Sequence, residues 1–297
     1  MSEIASWLTD PLQYEFMQRA LLVAFVVGLS CALLSCWMIL LRWSLMGDAV
    51  SHAVLPGVVL SYVVGAPFAI GAFLFGAAAV GLIGGVSRTT RIKEDAAIGV
   101  VFTALFALGI VLVSVIPSQV DLFHILFGNV LGVSDSDIRQ VVILGGITIA
   151  VLLALWRSFV LFAFDPTHAH AIGISPRRWE VLLLTLLALT VIVALQAVGI
   201  VLVVAMLITP GATAYLLTDR FDLMLAVAAT VGVGSTVIGT YASYHLDAST
   251  GGCIVCVLAI FFGLAYLLAP RYGLFGQRRR GRRHATSAPQ DTLSPVP

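Results

Sequence analysis

Charge is the scarcest property of this 297-residue chain: only 10% of its residues are Asp, Glu, Lys or Arg, against roughly 25% in soluble globular domains. With 60% hydrophobic residues and a mean hydropathy of +1.06, the shortage excludes a soluble fold, and lipid must solvate the exterior. Lysine occurs once, as Lys93, and no G-x-x-x-x-G-K-[ST] loop is present. The chain therefore does not hydrolyse ATP by the P-loop route, and any energy it uses must come from elsewhere. H-E-x-x-H and G-x-S-x-G are missing too, which removes the usual marks of an intramembrane hydrolase. The expectation is a non-enzyme.

Cysteine is sparse and poorly placed for a disulfide framework, with Cys31 and Cys36 in one apolar run and Cys253 and Cys256 in another. Cys253-x-x-Cys256 has a metal or redox spacing, but its run of Val, Leu, Ile and Phe favours buried small hydrophobes. A basic n-region is also lacking: Ser2 to Met17 carries Glu3, Asp10 and Glu15 and nothing basic before Arg19. The first apolar run is accordingly expected to stay in the protein as a span rather than act as a signal peptide.

What is present is a series of apolar runs of helical length. Hydrocarbon cannot satisfy free backbone groups, so spans of about 20 residues are helices. The pattern predicts an all-α polytopic transmembrane bundle with spans near 18–41, 49–66, 68–87, 96–116, 140–156, 180–197, 200–218, 223–243 and 252–269. Val181 to Leu217 would rise about 55 Å as one helix against a core of about 30 Å. A turn is expected at Gln196-Ala197-Val198-Gly199; one bent helix there would leave eight spans rather than nine.

Basic residues in the connections set orientation. Arg42; Arg88, Arg91 and Lys93; Arg157, Arg177 and Arg178; Arg220; and Arg271 onward fall on one side, predicted cytoplasmic. The acidic N-terminus, Asp121, Asp135 and Asp137 with a single Arg139, and Asp247 fall on the other. The expected organisation is an extracytoplasmic N-terminus (1–17), a transmembrane domain (18–270) and a disordered basic cytoplasmic tail (271–297) of Arg, Gly, Ser, Thr and Pro. That tail is expected to meet anionic lipid rather than nucleic acid. Residues 122–127 predict a short helix on the outer face, and the 159–178 connection predicts one on the inner face that a partner protein can grip.

The chemistry concentrates in Gly47-Asp48-Ala49-Val50-Ser51-His52-Ala53-Val54-Leu55-Pro56-Gly57. Asp48 and His52 are four apart, so on a helix they share a face. A carboxylate with an imidazole suits manganese, ferrous iron or zinc. Pro56-Gly57, one turn later, is expected to interrupt the helix, and broken helices are where membrane transporters place ion sites. An ionised Asp in a span costs about 2.5–3.5 kcal/mol on insertion scales, so it should face water, a partner or an ion. The plain alternative is that Asp48 caps the helix and His52 packs. Ser51, Thr103, Thr209 or a facing subunit are candidates to complete a site, although hydroxyls in spans more often bond their own backbone. Glu94-Asp95 reads as N-terminal charge on a helix, and His124 with Asp121, His168, His170, and His245 with Asp247 read as solvated polar residues.

That block, together with Lys93-Glu94-Asp95-Ala96-Ala97-Ile98-Gly99, Phe164-Asp165-Pro166, Ala197-Val198-Gly199, Thr209-Pro210-Gly211-Ala212-Thr213-Ala214 and Leu246-Asp247-Ala248-Ser249-Thr250-Gly251, resembles the ABC-3 family of manganese, zinc and iron permeases in family order. The resemblance runs over residues 17–275. It implies a type II ABC importer-like permease of the bacterial inner membrane, with no permanent cofactor, that passes a divalent metal, manganese ahead of zinc or iron. It also implies a second permease as homo- or heterodimer partner, two cytoplasmic ATPase subunits and an extracytoplasmic metal-binding protein. Asp48 and His52 would be metal ligands on the pathway. A coupling helix at about 163–176, with Asp165, Ala171, Gly173 and Ile174, would dock in the ATPase. The competing class is a proton- or potential-driven secondary transporter or channel, which several deep acidic residues would support; only Asp48 qualifies.

Overall fold

The structure, a computed structural model, describes residues 10–116, 135–165, 167, 170, 175–269 and 273. No strand occurs among them. After a 3-10 turn at Asp10–Gln13 come α1 (Glu15–Leu40), α2 (Ser44–Ala53), α3 (Leu55–Val64), α4 (Phe68–Thr89), α5 (Glu94–Val115), α6 (Asp135–Ala154), α7 (Trp156–Phe164), α8 (Pro176–Val198), α9 (Ile200–Leu217), α10 (Phe221–Leu246) and α11 (Thr250–Leu268). Among the described residues eight segments are long and apolar enough to cross a membrane: α1, α2 with α3 as one 21-residue helix, α4, α5, α6, the first 20 residues of α8, α10 and α11.

The question of the long apolar run is settled by packing along α1. Trp179, at the start of α8, stands edge-on to Phe159 at 5.1 Å, and Phe159 stands 5.8 Å from Trp37 near the end of α1. Val193 instead lies beside Gly145, which itself faces Val26. From Trp37 to Val26 is about 16 Å of helix rise, so α8 climbs from one end of α1 towards the other. Gly211 of α9 packs on the backbone of Ser35, back near the starting level. The chain therefore reverses between α8 and α9, at Gly199, whose φ of 78° and ψ of 167° no β-carbon residue adopts comfortably. α9 is a pass of its own, and the expected turn is there.

The same contacts sort the connections into two ends. Trp37, Trp156, Phe159, Trp179 and Phe221 form one aromatic cluster, and close by Arg88 holds both carboxylate oxygens of Glu180 at 3.0 Å. At the other end Tyr14, Phe16 and Tyr244 group together, and Arg19 pairs with Glu15 and Asp135.

α1 is the hub. Its Gly28 meets Gly232 and Thr236 of α10, its Ala32 meets Gly232, and its Ser35 meets Gly211. Small residues at such crossings let backbones approach, and in lipid that van der Waals contact is a main source of helix association. Gly57 of α3 and Gly71 of α4 meet the same way, since a β-carbon on either would fall 2.1 Å from the other's carbonyl oxygen.

Several expected details shift. The second span begins at Ser44 rather than at 49, and α6 begins at Asp135 rather than at 140. Pro56 does not bend the second span away, because Val54 keeps helical angles (φ −70°, ψ −26°) and its carbonyl accepts the Val58 N–H at 3.1 Å. What Pro56 removes is one donor, the N–H that would serve the carbonyl of His52. Cys31 and Cys36 are buried as expected, whereas Cys253 is half-buried and Cys256 is exposed on the outer face of α11.

Candidate functional site

α2 carries the candidate pair. Ser44 to Ala53 is helical, so Asp48 sits in the second turn and not at the N-cap, which is Trp43. The capping role for Asp48 is thereby removed. Its carboxylate Oδ1 lies 3.1 Å from His52 Nδ1, and the Asp48 carbonyl oxygen lies 3.0 Å from the same nitrogen. The four-residue spacing thus does bring the two side chains together, on one face of one helix.

Neither side chain is hidden: 30% of Asp48 and 24% of His52 remain accessible in the single chain, while Gly47, Ala49, Val50, Ser51 and Ala53 around them are buried. The helix is thus anchored by its apolar face, where Gly47 rests against Leu207 of α9, and presents its two polar groups on the open face. A carboxylate on a membrane span, partly accessible and coupled to an imidazole, is an arrangement that costs free energy unless water, a partner or an ion meets it.

Two residues that sequence reasoning did not single out hold the imidazole in place. Phe106 of α5 meets the His52 ring edge-on at 5.0 Å and 81°, and Phe102, one turn earlier, lies 5.7 Å away at 58°. Their spacing of four on α5 would mark a pair on one face, but nothing in the sequence says that this face meets His52.

The proposed additional donors behave as hydroxyls in spans usually do. Ser51 donates to the Gly47 carbonyl at 2.7 Å and Thr103 to the Gly99 carbonyl at 2.6 Å. Among the described residues no group of three or more His, Cys, Asp or Glu converges. Glu94 and Asp95 occupy the exposed first turn of α5. His245 stacks edge-on with Tyr244 in the last turn of α10, and Asp247 closes that helix at φ 50°. Asp165 ends α7, exposed, at the basic end of the molecule, and His170 is exposed. Ala171, Gly173, Ile174, His168, Asp121, His124, the helix expected at 122–127 and the tail beyond Gly273 lie outside the described residues.

Length, apolarity and small-residue crossings define a polytopic α-helical membrane protein. Residues 13–269 match the ABC 3 transport family, and the chain belongs to that family. It is 57% identical over 276 residues to the manganese transport system membrane protein MntB of Synechocystis sp., covering 93% of this chain and 90% of that one. It is 51% identical over 259 residues to a Haemophilus influenzae protein named as a probable iron transport system membrane protein, covering 87% and 96%. A chain of PsaBC from Streptococcus pneumoniae, solved in complex with Fab, superposes with a TM-score of 0.84 at 38% identity, covering 94% of this chain and 99% of that one. Family membership agrees with the non-enzymatic reading of this subunit.

Proposed function

We propose that this chain is the permease through which an ATP-driven importer of the bacterial inner membrane passes a divalent transition metal, manganese first and iron or zinc next. The carrying observation is the accessible Asp48–His52 pair in the stretch Met46 to Ala53, whose other residues are buried. If one ion replaced the proton between Nδ1 and Oδ1, their 3.1 Å separation would subtend about 95° at bonds of about 2.1 Å, close to adjacent octahedral positions. An O and N donor pair with no thiolate suits manganese and ferrous iron. The names of the relatives, manganese and iron transport proteins, point the same way.

Two ligands leave a divalent ion short of donors, and the open face of α2 is where a second permease can supply the rest. The working assembly is then two permeases, two ATPase subunits bound near Asp165 to Ile174, and an extracytoplasmic metal-binding protein. The N-terminus lies outside and the C-terminus in the cytoplasm, because arginine gathers at the end of Arg88 and Arg220. Alternating access requires the pair to hold the ion more weakly in the inward state, since equal affinity for both states shifts nothing.

The test is metal-specific uptake by the reconstituted complex. Manganese uptake that needs ATP, and is lost in Asp48→Ala and in His52→Ala while both variants insert and assemble, supports the reading. Uptake driven by a proton gradient without the ATPase, or normal transport by either variant, rejects it.

A further inference from the structure

Between α4 and α8 lies an open apolar trench of about 220 Å³ whose lining includes neither Asp48 nor His52. Phe73, Val80 and Gly81 line one wall, and Val181, Leu184 and Ala188 line the other. Its one polar lining group, the Thr185 hydroxyl, is occupied by the Val181 carbonyl at 2.8 Å. The trench thus offers an occupant no free side-chain hydrogen-bond donor and mostly apolar contact.

Its length and its charged end say what fits. On α8, Arg177, Val181, Leu184 and Ala188 follow the spacing of one helix stripe, and on α4 so do Ala77, Gly81, Gly84 and Arg88. A β-carbon added at Gly81, Gly84 or Gly85 would meet nothing within 4 Å, so the open wall continues from the trench towards Arg88. From Phe73 to Arg88 is about 22 Å of helix rise, which matches one leaflet with its headgroup, about half of 40–45 Å. At that end stand Arg88, Arg91, Lys93, Arg177 and Arg178 against Glu94, Asp95 and Glu180, a cationic surplus.

We infer that this trench is a binding site for an anionic glycerophospholipid of the leaflet at the basic end, one acyl chain lying along Phe73 to Ala188 and the phosphate held by Arg88 and Arg177. Basic pockets between spans select anionic headgroups through the same physics. A second copy of the chain is a poorer occupant. Parallel copies in one membrane would bring their own arginine clusters to the same level, and like charges at an interface are disfavoured. Glu180 sets Arg88 in place: its two 3.0 Å contacts use one terminal nitrogen of the guanidinium and leave the remaining donors for phosphate.

The test uses the full chain, purified in mild detergent from a mixture of phosphatidylglycerol and phosphatidylcholine, with retained lipid counted by native mass spectrometry. The wild type should keep phosphatidylglycerol preferentially. Arg88→Gln with Arg177→Gln should reduce that preference about tenfold or more, whereas Gly84→Leu should expel both lipids by filling the wall. Glu180→Gln breaks the ion pair but keeps the cation, so it should retain phosphatidylglycerol. Loss of lipid in Glu180→Gln equal to that in the arginine variant would assign the effect to helix packing and overturn the site. So would unchanged retention in the arginine and Gly84 variants, or rapid disulfide-linked dimers from Gly84→Cys in a background lacking Cys253 and Cys256.

Discussion

α1 and α2 are neighbours in sequence and opposites in design. α1 is buried for most of its length and touches its partners through Gly28, Ala32 and Ser35. α2 has 10 residues against the 26 of α1, buries Gly47, Val50 and Ser51, and leaves Asp48 and His52 partly accessible. The first helix uses small side chains to bring backbones together; the second uses buried small residues to hold a polar face open. The contrast teaches that the bundle is most closely packed where glycines meet, and that its chemistry is confined to a helix seated on α9 through Gly47 and on α5 through His52, with its carboxylate and imidazole still partly accessible.

The contrast breaks first, and most visibly, at the pair itself. Asp48→Ala or His52→Ala should lower metal uptake in vesicles by more than about 100-fold, beyond the 10- to 100-fold typical when a group that merely orients a ligand is lost. Folding stability, followed by thermal unfolding in detergent, should change little in both. The reverse pattern is expected on α1's contacts. Gly211→Val or Gly232→Val places atoms where Ser35 or Ala32 already stand within 2.5 Å of a β-carbon. Overpacking of this kind costs about 1–3 kcal/mol or more, read as a lower midpoint and a lower yield of folded protein. A variant of either glycine with normal stability would show that the crossing is looser than described.

Phe106→Ala lies between the two designs. It removes the edge contact to His52 without removing a ligand, so uptake should fall about tenfold, mostly as weaker metal affinity, and Phe106→Leu should not restore it fully. The smallest effect belongs to the surface: Arg19→Ala breaks exposed ion pairs with Glu15 and Asp135, each worth about 0–1 kcal/mol, and uptake should be unchanged. An uptake defect there would mean that the acidic end takes part in transport.

Much of this architecture is legible in the chain because lipid enforces a simple rule. Apolar runs of helical length become helices, Arg-bearing connections gather at one end, and Gly199 marks the reversal that separates α8 from α9. Boundaries were less legible: Ser44 to Asp48 looks like a polar approach to the second span, yet it is helical because α2 is packed against α9 through Gly47 and Leu207. Cys256 looked like a core residue, and only the rotation of α11 against α10 decides that it points outward.

The sequence by itself determined the helical nature of the spans, the scarcity of charge, and the single i, i+4 carboxylate–imidazole pair, since each follows from composition and from 3.6 residues per turn. The tertiary structure decided which face of α2 stays open, that Phe102 and Phe106 clasp His52, and that Gly28, Gly57, Gly71, Gly211 and Gly232 are contact points while Gly81 and Gly84 face open space. Those facts depend on how each helix is rotated and on what stands opposite it. Neither is written in the spacing of any one segment.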